Sequence, residues 1–308
     1  MLNKTLLTDI GIEPSDVDII LEADSRLGDK IQKITDEYIK ELNHEPFTHY
    51  TAESNLASYQ KATAYGSEIM SLDKENEYLA RLLGWLHLMP YLEELYRKLG
   101  FPYSLFCDTA RDIVFKINEC KATYGKLGVF VDWFFIFIEL RLFTLGRLEF
   151  ELTSSPMEDY TYDGYTIKKG DPVFSCHIPT GAPLTEEVCY DALDRAYAFF
   201  KPHLKSNILP VICLSWLLYS EYPKKIYSEG SNLMKFSRLF DIVTDTKTDT
   251  FHDAWRVFGC ELGESTEGLP QATSLQCAFI DYINNGGSFG YGHGVLLYDG
   301  EKKKIINV

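Results

Sequence analysis

The sequence predicts two parts, an all-helical N-terminal domain followed by an α+β (α/β) domain with a mostly antiparallel sheet flanked by helices. Two observations predict this division. Apolar residues recur at helical spacing in the first part, as in the stripe Leu27, Ile31, Ile34, Tyr38 and Leu42. After residue 147, short runs of alternating apolar and polar residues separated by glycine turns replace that spacing. We place the boundary between residues 128 and 129, giving domains of residues 1–128 and 129–308.

The helical domain is predicted to contain several helices beyond the stripe just described. Residues 76–89 show helical spacing, and Pro90 is predicted to begin a new turn that ends near Gly100, because proline interrupts a helix. A further helix is predicted for residues 103–124, ended by Gly125. An aromatic-rich helix is predicted from Phe130 toward Thr144.

The second domain begins with predicted strands. Residues 148–152, LEFEL, alternate apolar and acidic side chains as a half-buried strand does. Asp163-Gly164 predicts a hairpin turn, and Gly170-Asp171 a second turn. The strands therefore form a predicted antiparallel meander that ends with residues 173–178.

The rest of the domain alternates helix and strand. Thr185 is the predicted N-cap of an amphipathic helix, and residues 208–218 form an apolar run typical of a buried strand. Thr273 and Gln276 form a capping box before another helix, and residues 289–308 predict a hairpin. A dinucleotide-binding fold is excluded because repeated βαβ units and a G-x-G-x-x-G motif are absent from the sequence.

Composition narrows the classes of function. A formal charge of −15 opposes nucleic-acid binding, and no basic run longer than Lys302-Lys303-Lys304 occurs. Seven cysteines without a C-x-x-C pair indicate reduced thiols in a cytoplasmic protein. The most apolar segment, residues 129–145, contains Asp132, Glu139 and Arg141, so we expect no membrane span. The seven dispersed histidines lack metal-ligand spacing, so no metal site is expected.

The strand–turn–helix junction of residues 173–200 is the strongest candidate for a functional site in the sequence. Such a junction directs backbone N–H groups and a helix N-terminus toward an anion, and Thr180, Gly181 and Ala182 would supply those groups. The alternative is a plain turn. His177, at the end of the strand, could act as a general base or bond a loop carbonyl.

The order of elements resembles the GNAT superfamily of acyl-CoA-dependent N-acyltransferases. Several phrases also resemble a bacterial group of two-domain proteins, with an N-acyltransferase N-terminal helical domain and a GNAT-like C-terminal domain. These phrases are LFTLGRLEFEL, HIPTGAPLTEE, CLSWLL, GSNLMKF and LPQATSLQCAF. The resemblance spans nearly the whole chain. It implies two strands that splay to admit a thioester, with acetyl-CoA or another acyl-CoA as co-substrate and an amine of a small molecule or peptide as acceptor.

The resemblance implies a set of site residues. Ile178, Thr180, Gly181 and Ala182 would bind the cofactor, and His177 would be the base. Ser215 could donate to the leaving thiolate or bond nearby backbone, and Asn232 could fix the acceptor or cap a helix. Glu149 and Glu151 could act as bases through a water, or form the solvated face of their strand. A thiol mechanism pairing Cys176 with His177 is disfavoured because neighbours on a strand face opposite ways.

The loop departs from the family pattern. Ordinary GNAT members have Gln/Arg-x-x-Gly-x-Gly/Ala here, whereas residues 178–183 keep only the pair Gly181-Ala182. Pro179 and Pro183 lack amide donors, and the Glu186-Glu187 pair would repel a pyrophosphate. The rival interpretation is therefore a non-catalytic ligand-binding protein on a degenerate GNAT scaffold.

Overall fold

The structure, a computed structural model, describes residues 1–42 and 45–308. Its α-helices are α1 Lys4–Asp9, α2 Pro14–Lys40, α3 Ala52–Met70, α4 Glu77–Lys98, α5 Tyr103–Ala110, α6 Asp112–Tyr124, α7 Phe135–Ile138, α8 Glu186–Phe200, α9 Glu221–Lys225, α10 Asn232–Ser237, α11 Ala254–Phe258 and α12 Ser274–Asn284. Its strands are β1 Leu142–Leu145, β2 Leu148–Ser154, β3 Tyr160–Tyr162, β4 Tyr165–Ile167, β5 Pro172–His177, β6 Ile208–Ser215, β7 Asp241–Thr248, β8 Phe289–Asp299 and β9 Lys304–Ile305.

Contacts divide the described chain into two compact units. Unit 1 is Met1–Leu145 with Glu151–Thr153, and unit 2 is Gly146–Phe150 with Ser154–Val308. The division passes through the hairpin that joins β1 and β2. The domain boundary predicted between residues 128 and 129 stays a prediction.

Unit 1 contains helices α1–α7, and its helical character is as predicted. The single helix predicted for residues 103–124 is wrong, because two helices, α5 and α6, meet there at Arg111. Its core includes the fully buried side chains of Leu83, Trp85, Tyr96 and Phe106. The helix predicted to break at Pro90 does not break, because α4 continues through that residue to Lys98. The continuous burial of residues 82–89 outweighs the one hydrogen bond that Pro90 cannot make.

The aromatic helix predicted from Phe130 toward Thr144 is also wrong. Only Phe135–Ile138 is helical, and strand β1 begins at Leu142. Leu140 has a φ of 55°, a left-handed conformation that ends the helical turn. Aromatic and β-branched residues pack as well in a strand as in a helix, so the apolar run did not distinguish the two.

Most strands of the mixed, mostly antiparallel sheet that the sequence predicts belong to unit 2. The strand order is β1-β2-β5-β6-β8-β7, and β9 pairs with β8. β5 and β6 are parallel, whereas β8 is antiparallel to β6, β7 and β9. The predicted meander is corrected in one respect: β3 and β4 form a separate two-stranded sheet, with Asp163 and Gly164 at its turn.

Helix caps in unit 2 follow the sequence signals. Thr185 caps α8, and Thr273 forms a capping box with Gln276 at α12. The terminal hairpin is present, although its second strand is only Lys304–Ile305. In the described part of the chain, no helix is both long and apolar enough to cross a membrane.

Candidate active site

The pairing of β5 with β6 is unusually short. The two parallel strands are in register only at Phe174 beside Val211 and Ser175 beside Ile212. β5 then continues to His177 and β6 to Ser215 without further pairing between them. On its other side β6 stays paired with β8 as far as Ser215 and Gly292. The strands therefore part at their carboxyl ends, beyond the pairs Phe174–Val211 and Ser175–Ile212.

A cavity of 380 Å³ opens where the strands part. Its walls are the ends of β5 and β6, the residues that follow each strand, and side chains from α10, α11, α12 and β8. The lining residues are Cys176, His177, Ile178, Pro179, Thr180, Leu214, Ser215, Trp216, Leu217, Leu233, Asp253, Arg256, Leu275 and Tyr291. The cavity thus has apolar walls with a few polar groups, as small-molecule sites have.

Two of the predicted catalytic residues face this cavity together. His177 is half-buried at the end of β5. Ser215 ends β6, and its hydroxyl oxygen accepts from the Leu217 N–H at 3.2 Å. The interpretation of Ser215 as bonded to nearby backbone is therefore confirmed, and its own O–H proton remains a donor.

Asn232, the third predicted catalytic residue, is not among the residues that line the cavity; its neighbour Leu233 is. The interpretation of Asn232 as a helix cap is wrong. Ser231 caps α10, because its hydroxyl accepts from the Met234 N–H at 3.2 Å, and Asn232 is the first residue inside the helix.

The predicted cofactor-binding loop reaches the cavity only in part. Ile178 and Thr180 line it, whereas Gly181 and Ala182 are exposed and do not. Gly181 has a φ of 145°, which favours glycine at this position. Arg147 Nε donates to the Ala182 carbonyl at 2.6 Å, so a cationic side chain holds this loop.

A carboxylate of the protein, that of Glu187, already lies at the N-terminus of α8. The Glu187 carboxylate accepts from its own backbone N–H and from the Thr185 hydroxyl, and these bonds lower its pKa. Thr185 also accepts from the Val188 N–H. The helix N-terminus, with its partial positive charge, is therefore partly satisfied by the protein.

The interpretation of Glu149 as part of a solvated strand face is wrong. Its residue is 2% exposed, because β2 is an interior strand of the sheet rather than a solvated edge. Burial lowers the pKa of the Arg147 guanidinium, and the charges of Cys189 and Glu149 oppose that lowering. Glu151 is held differently, in an ion pair with Arg141 of unit 1.

Three polar residues of the cavity, Asp253, Arg256 and Tyr291, were not predicted. Asp253 Oδ2 accepts from the Tyr291 hydroxyl at 2.9 Å, and Asp253 Oδ1 accepts from Arg256 Nε at 2.9 Å. Burial and the Asp253 charge raise the pKa of Tyr291, so this phenol stays protonated. The D-x-x-R spacing in HDAWR and the tyrosine between glycines in β8 were the available signals.

Cys176 also lines the cavity, although its thiol is buried. Hydrogen bonding with Cys213 on the neighbouring strand, together with burial, raises the pKa of Cys176 well above 9.0. A protonated thiol is a poor nucleophile, which further disfavours a thiol mechanism.

Family models cover nearly the whole chain. The model described as a GNAT-like C-terminal domain matches residues 142–296, and the model of an N-acyltransferase N-terminal domain matches residues 1–140. The chain therefore belongs to the family of two-domain GNAT-like acyltransferases, and the resemblance stated from its sequence is confirmed. No curated protein matches the chain.

Solved structures show the same fold. An acyltransferase mutant in complex with octanoyl-CoA has a TM-score of 0.68 at 18% identity, covering 96% of this chain and 88% of that one. An acyltransferase in complex with decanoyl-CoA gives 0.66 at 19% identity with the same coverage. An acyltransferase in complex with CoA and 10C-teicoplanin gives 0.61 at 18% identity, covering 96% and 99%.

Proposed function

We propose that this protein is an acyl-CoA-dependent N-acyltransferase that moves an acyl group to an amine of a small molecule or peptide. The observation that supports it best is the early end of the β5–β6 pairing at a cavity lined by both strand ends. An extended pantetheine arm carries amides of its own. Placed between the strands, it would extend the backbone pairing beyond the point where β5 and β6 part.

The reaction requires one new bond and one broken bond. The amine nitrogen attacks the thioester carbonyl carbon, the C–S bond then breaks, and the amine loses a proton. Backbone N–H groups at the parted strand ends would bind the developing oxyanion. Holding both substrates in the cavity would replace a bimolecular encounter with a positioned one.

His177 is the proposed base because it lies at the end of β5 and faces the cavity. A neutral imidazole can accept a proton from an ammonium or from the attacking amine. Ser215 is the proposed donor to the departing thiolate, since its oxygen accepts from Leu217 and its proton can point into the cavity.

The phosphates of CoA are assigned to the loop rather than to the α8 N-terminus. Thr185 and Glu187 already occupy that helix end. The backbone N–H groups of Thr180, Gly181 and Ala182 remain the proposed donors, with Ile178 at the loop entrance. Arg147, bonded to the Ala182 carbonyl, would hold the loop and add positive charge beside it.

Binding and transfer can be measured separately. Titration with octanoyl-CoA tests binding, and release of free thiol in the presence of an amine panel tests transfer. We expect His177→Ala to lower kcat by about 10²–10⁴-fold, the usual contribution of a general base, with little change in octanoyl-CoA affinity. The matched control is His203→Ala, at an exposed position of the same unit. Unchanged kcat in His177→Ala would refute the assignment of the base.

A second function is favoured by Pro179 and Pro183, which remove amide donors from the loop. In that case the protein is a non-catalytic ligand-binding protein on a GNAT scaffold. Absence of heat and of thermal stabilisation with millimolar octanoyl-CoA would support it over the transferase.

A further inference from the structure

Two cysteines lie side by side where β5 and β6 part. The last pair in register is Ser175 beside Ile212. The next residue on each strand is a cysteine, Cys176 on β5 and Cys213 on β6. Parallel strands in register place such residues next to each other, with the strands about 4.8 Å apart. A disulfide joins Cα atoms that are about 4.4–6.8 Å apart, so this spacing suits one.

Both thiols lie on the same side of the sheet. Side chains alternate along a strand, so Cys176 shares a side with Phe174, and Cys213 shares a side with Val211. The Phe174 ring packs on Phe200 of α8, with ring centres 4.3 Å apart, so this is the side that α8 covers. Both cysteines are buried, and Cys213 acts on Cys176 through a hydrogen bond between their side chains. The register and this contact both make the two thiols neighbours.

The two thiols are free, and one of them can be reached from the cavity. Neither belongs to a disulfide. Besides its contact with Cys213, Cys176 Sγ donates to the His177 carbonyl at 3.9 Å, and a thiol is a weak donor. Cys176 lines the cavity, so a molecule as small as a peroxide has a route to it. The backbone of Cys213 stays beside Gly294 of β8, which fixes the position of the second sulfur.

We propose that Cys176 and Cys213 form a modification site, where a hydroperoxide produces a reversible disulfide between β5 and β6. The Cys176 sulfur, as its thiolate, attacks a peroxide oxygen, and the O–O bond breaks to give a sulfenic acid and water. The Cys213 sulfur then attacks the sulfenic sulfur and expels a second water. Two thiols and one hydrogen peroxide thus give one disulfide and two waters, with the sulfurs oxidised and the peroxide oxygens reduced.

Burial of the two thiols determines how fast the disulfide forms. The thiolate is the reactive form, so the raised pKa of Cys176 makes oxidation slow at neutral pH. The pair therefore responds to sustained exposure to peroxide rather than to a brief pulse. A thiol reductant reverses the reaction by exchange, as it does for the transient disulfides of reducing compartments.

The disulfide would close the site proposed for the thioester, a consequence that rests on the proposed acyl transfer. It would join β5 to β6 one residue beyond their last pair in register, where the pantetheine arm is proposed to lie. Because His177 follows Cys176 directly, the proposed base would be drawn toward β6 as well. The oxidised protein should therefore bind acyl-CoA poorly.

Oxidation and binding are measured on the full chain before and after prolonged treatment with hydrogen peroxide. Mass spectrometry of peptides cleaved without reductant should show the Cys176 peptide joined to the Cys213 peptide, with the loss of two hydrogens. Calorimetry should show octanoyl-CoA affinity falling about tenfold or more. Dithiothreitol should separate the peptides and restore the affinity.

Three variants are compared with the wild type, each before and after peroxide. Cys213→Ala should give no joined peptide, and Cys176→Ala should keep the octanoyl-CoA affinity that it has before treatment. Cys277→Ala is the matched control, since it removes a free thiol on α12 and should respond to peroxide as the wild type does. Unchanged melting temperatures after oxidation exclude unfolding as the cause of lost binding.

Several results would overturn the proposal. Unreacted thiols, an oxidised Cys176 without a joined peptide, or a link from Cys176 to Cys189 of α8 would each refute the modification site. A complete Cys176–Cys213 disulfide with unchanged octanoyl-CoA affinity would refute closure of the site. If the reduced protein does not bind octanoyl-CoA, the transferase function is refuted, and the joined peptide alone still decides whether the disulfide forms.

Discussion

Arg141 is the centre of a buried charged cluster in unit 1. Its side chain is 1% exposed, it pairs with Glu139 and Glu151, and it lies over the Tyr50 ring at 3.8 Å. One guanidinium therefore faces two carboxylates. The weaker partner is Glu139, whose Oε2 is 3.6 Å from Arg141 Nη1, although Ser58 donates to its other oxygen at 2.9 Å.

Glu139 makes the stability of unit 1 depend on pH. Burial raises its pKa above the ordinary 4.5, against the lowering effect of Ser58 and Arg141. A carboxyl whose folded-state pKa is raised contributes stability below its unfolded pKa and loses it as pH rises through the folded value. Above its folded-state pKa, Glu139 is a buried carboxylate, and this charge destabilises the folded protein.

Glu139→Gln should therefore raise the melting temperature by a few degrees at pH 8, where the wild type pays that cost. The difference should shrink toward pH 4.5, and scanning calorimetry across this range measures it. Glu77→Gln, at an exposed position of unit 1, serves as control and should show neither effect. A lower melting temperature for Glu139→Gln at pH 8 would mean that its pairing outweighs its burial.

Some of the site could be predicted from single residues, and some could not. His177 was predicted from its place at the end of a strand and Ser215 as a polar residue within an apolar run, and both line the cavity. Asp253 and Arg256 are close in sequence but were not found, because Tyr291, which joins them in the cavity, lies 38 residues after Asp253 on β8. The N-cap of α10 was predicted one position too late, at Asn232 instead of Ser231, because serine and asparagine are equally good caps by residue type.

At the scale of elements, β8 shows why glycines alternate along one strand. A Cβ at Gly292 would overlap the Leu218 carbonyl, and a Cβ at Gly294 would come within 2.7 Å of Phe240 Cβ. The three-residue turn Trp216–Leu218 can therefore lie directly on β8. Another backbone thus approaches this strand closely, and the approaching turn includes the cavity residues Trp216 and Leu217.

Gly292→Ala should destabilise unit 2 by about 1–3 kcal/mol, the usual cost of overpacking. The added methyl would push Trp216–Leu218 off the strand, so octanoyl-CoA binding should weaken as well. Gly263→Ala is the matched control, because a Cβ there meets nothing within 4 Å. Denaturant unfolding measures the free energy of unfolding of both variants. Equal values would show that the turn Trp216–Leu218 moves away from the added methyl without loss of stability.

Element types were predicted where the pattern was unambiguous. The turn at Asp163-Gly164, the caps Thr185 and Thr273, and strands β2, β5 and β8 follow from local signals. The failures at Pro90 and in the aromatic run before β1 share a cause. In both, tertiary burial overrode local propensity, which a single sequence does not report.

At the scale of the whole molecule, the formal charge of −15 opposes a polyanionic ligand such as CoA. Long-range repulsion slows association, and added salt screens it. The association rate for octanoyl-CoA should therefore rise severalfold from low salt to physiological ionic strength. Stopped-flow fluorescence measures the rate, with uncharged octanoyl-pantetheine as the control. A rate that falls with salt would indicate that local cations such as Arg147 govern capture.

The short register between β5 and β6 has a consequence for how this protein tolerates change over evolution. The strand ends that part there offer main-chain amides and carbonyls, which every residue but proline supplies in full. Changes in the side chains of Cys176, Cys213 or Leu214 would leave these groups in place. A site of this kind can persist while most of its side chains change. Substitution by proline at these positions would damage the site, whereas a change in side-chain polarity would not.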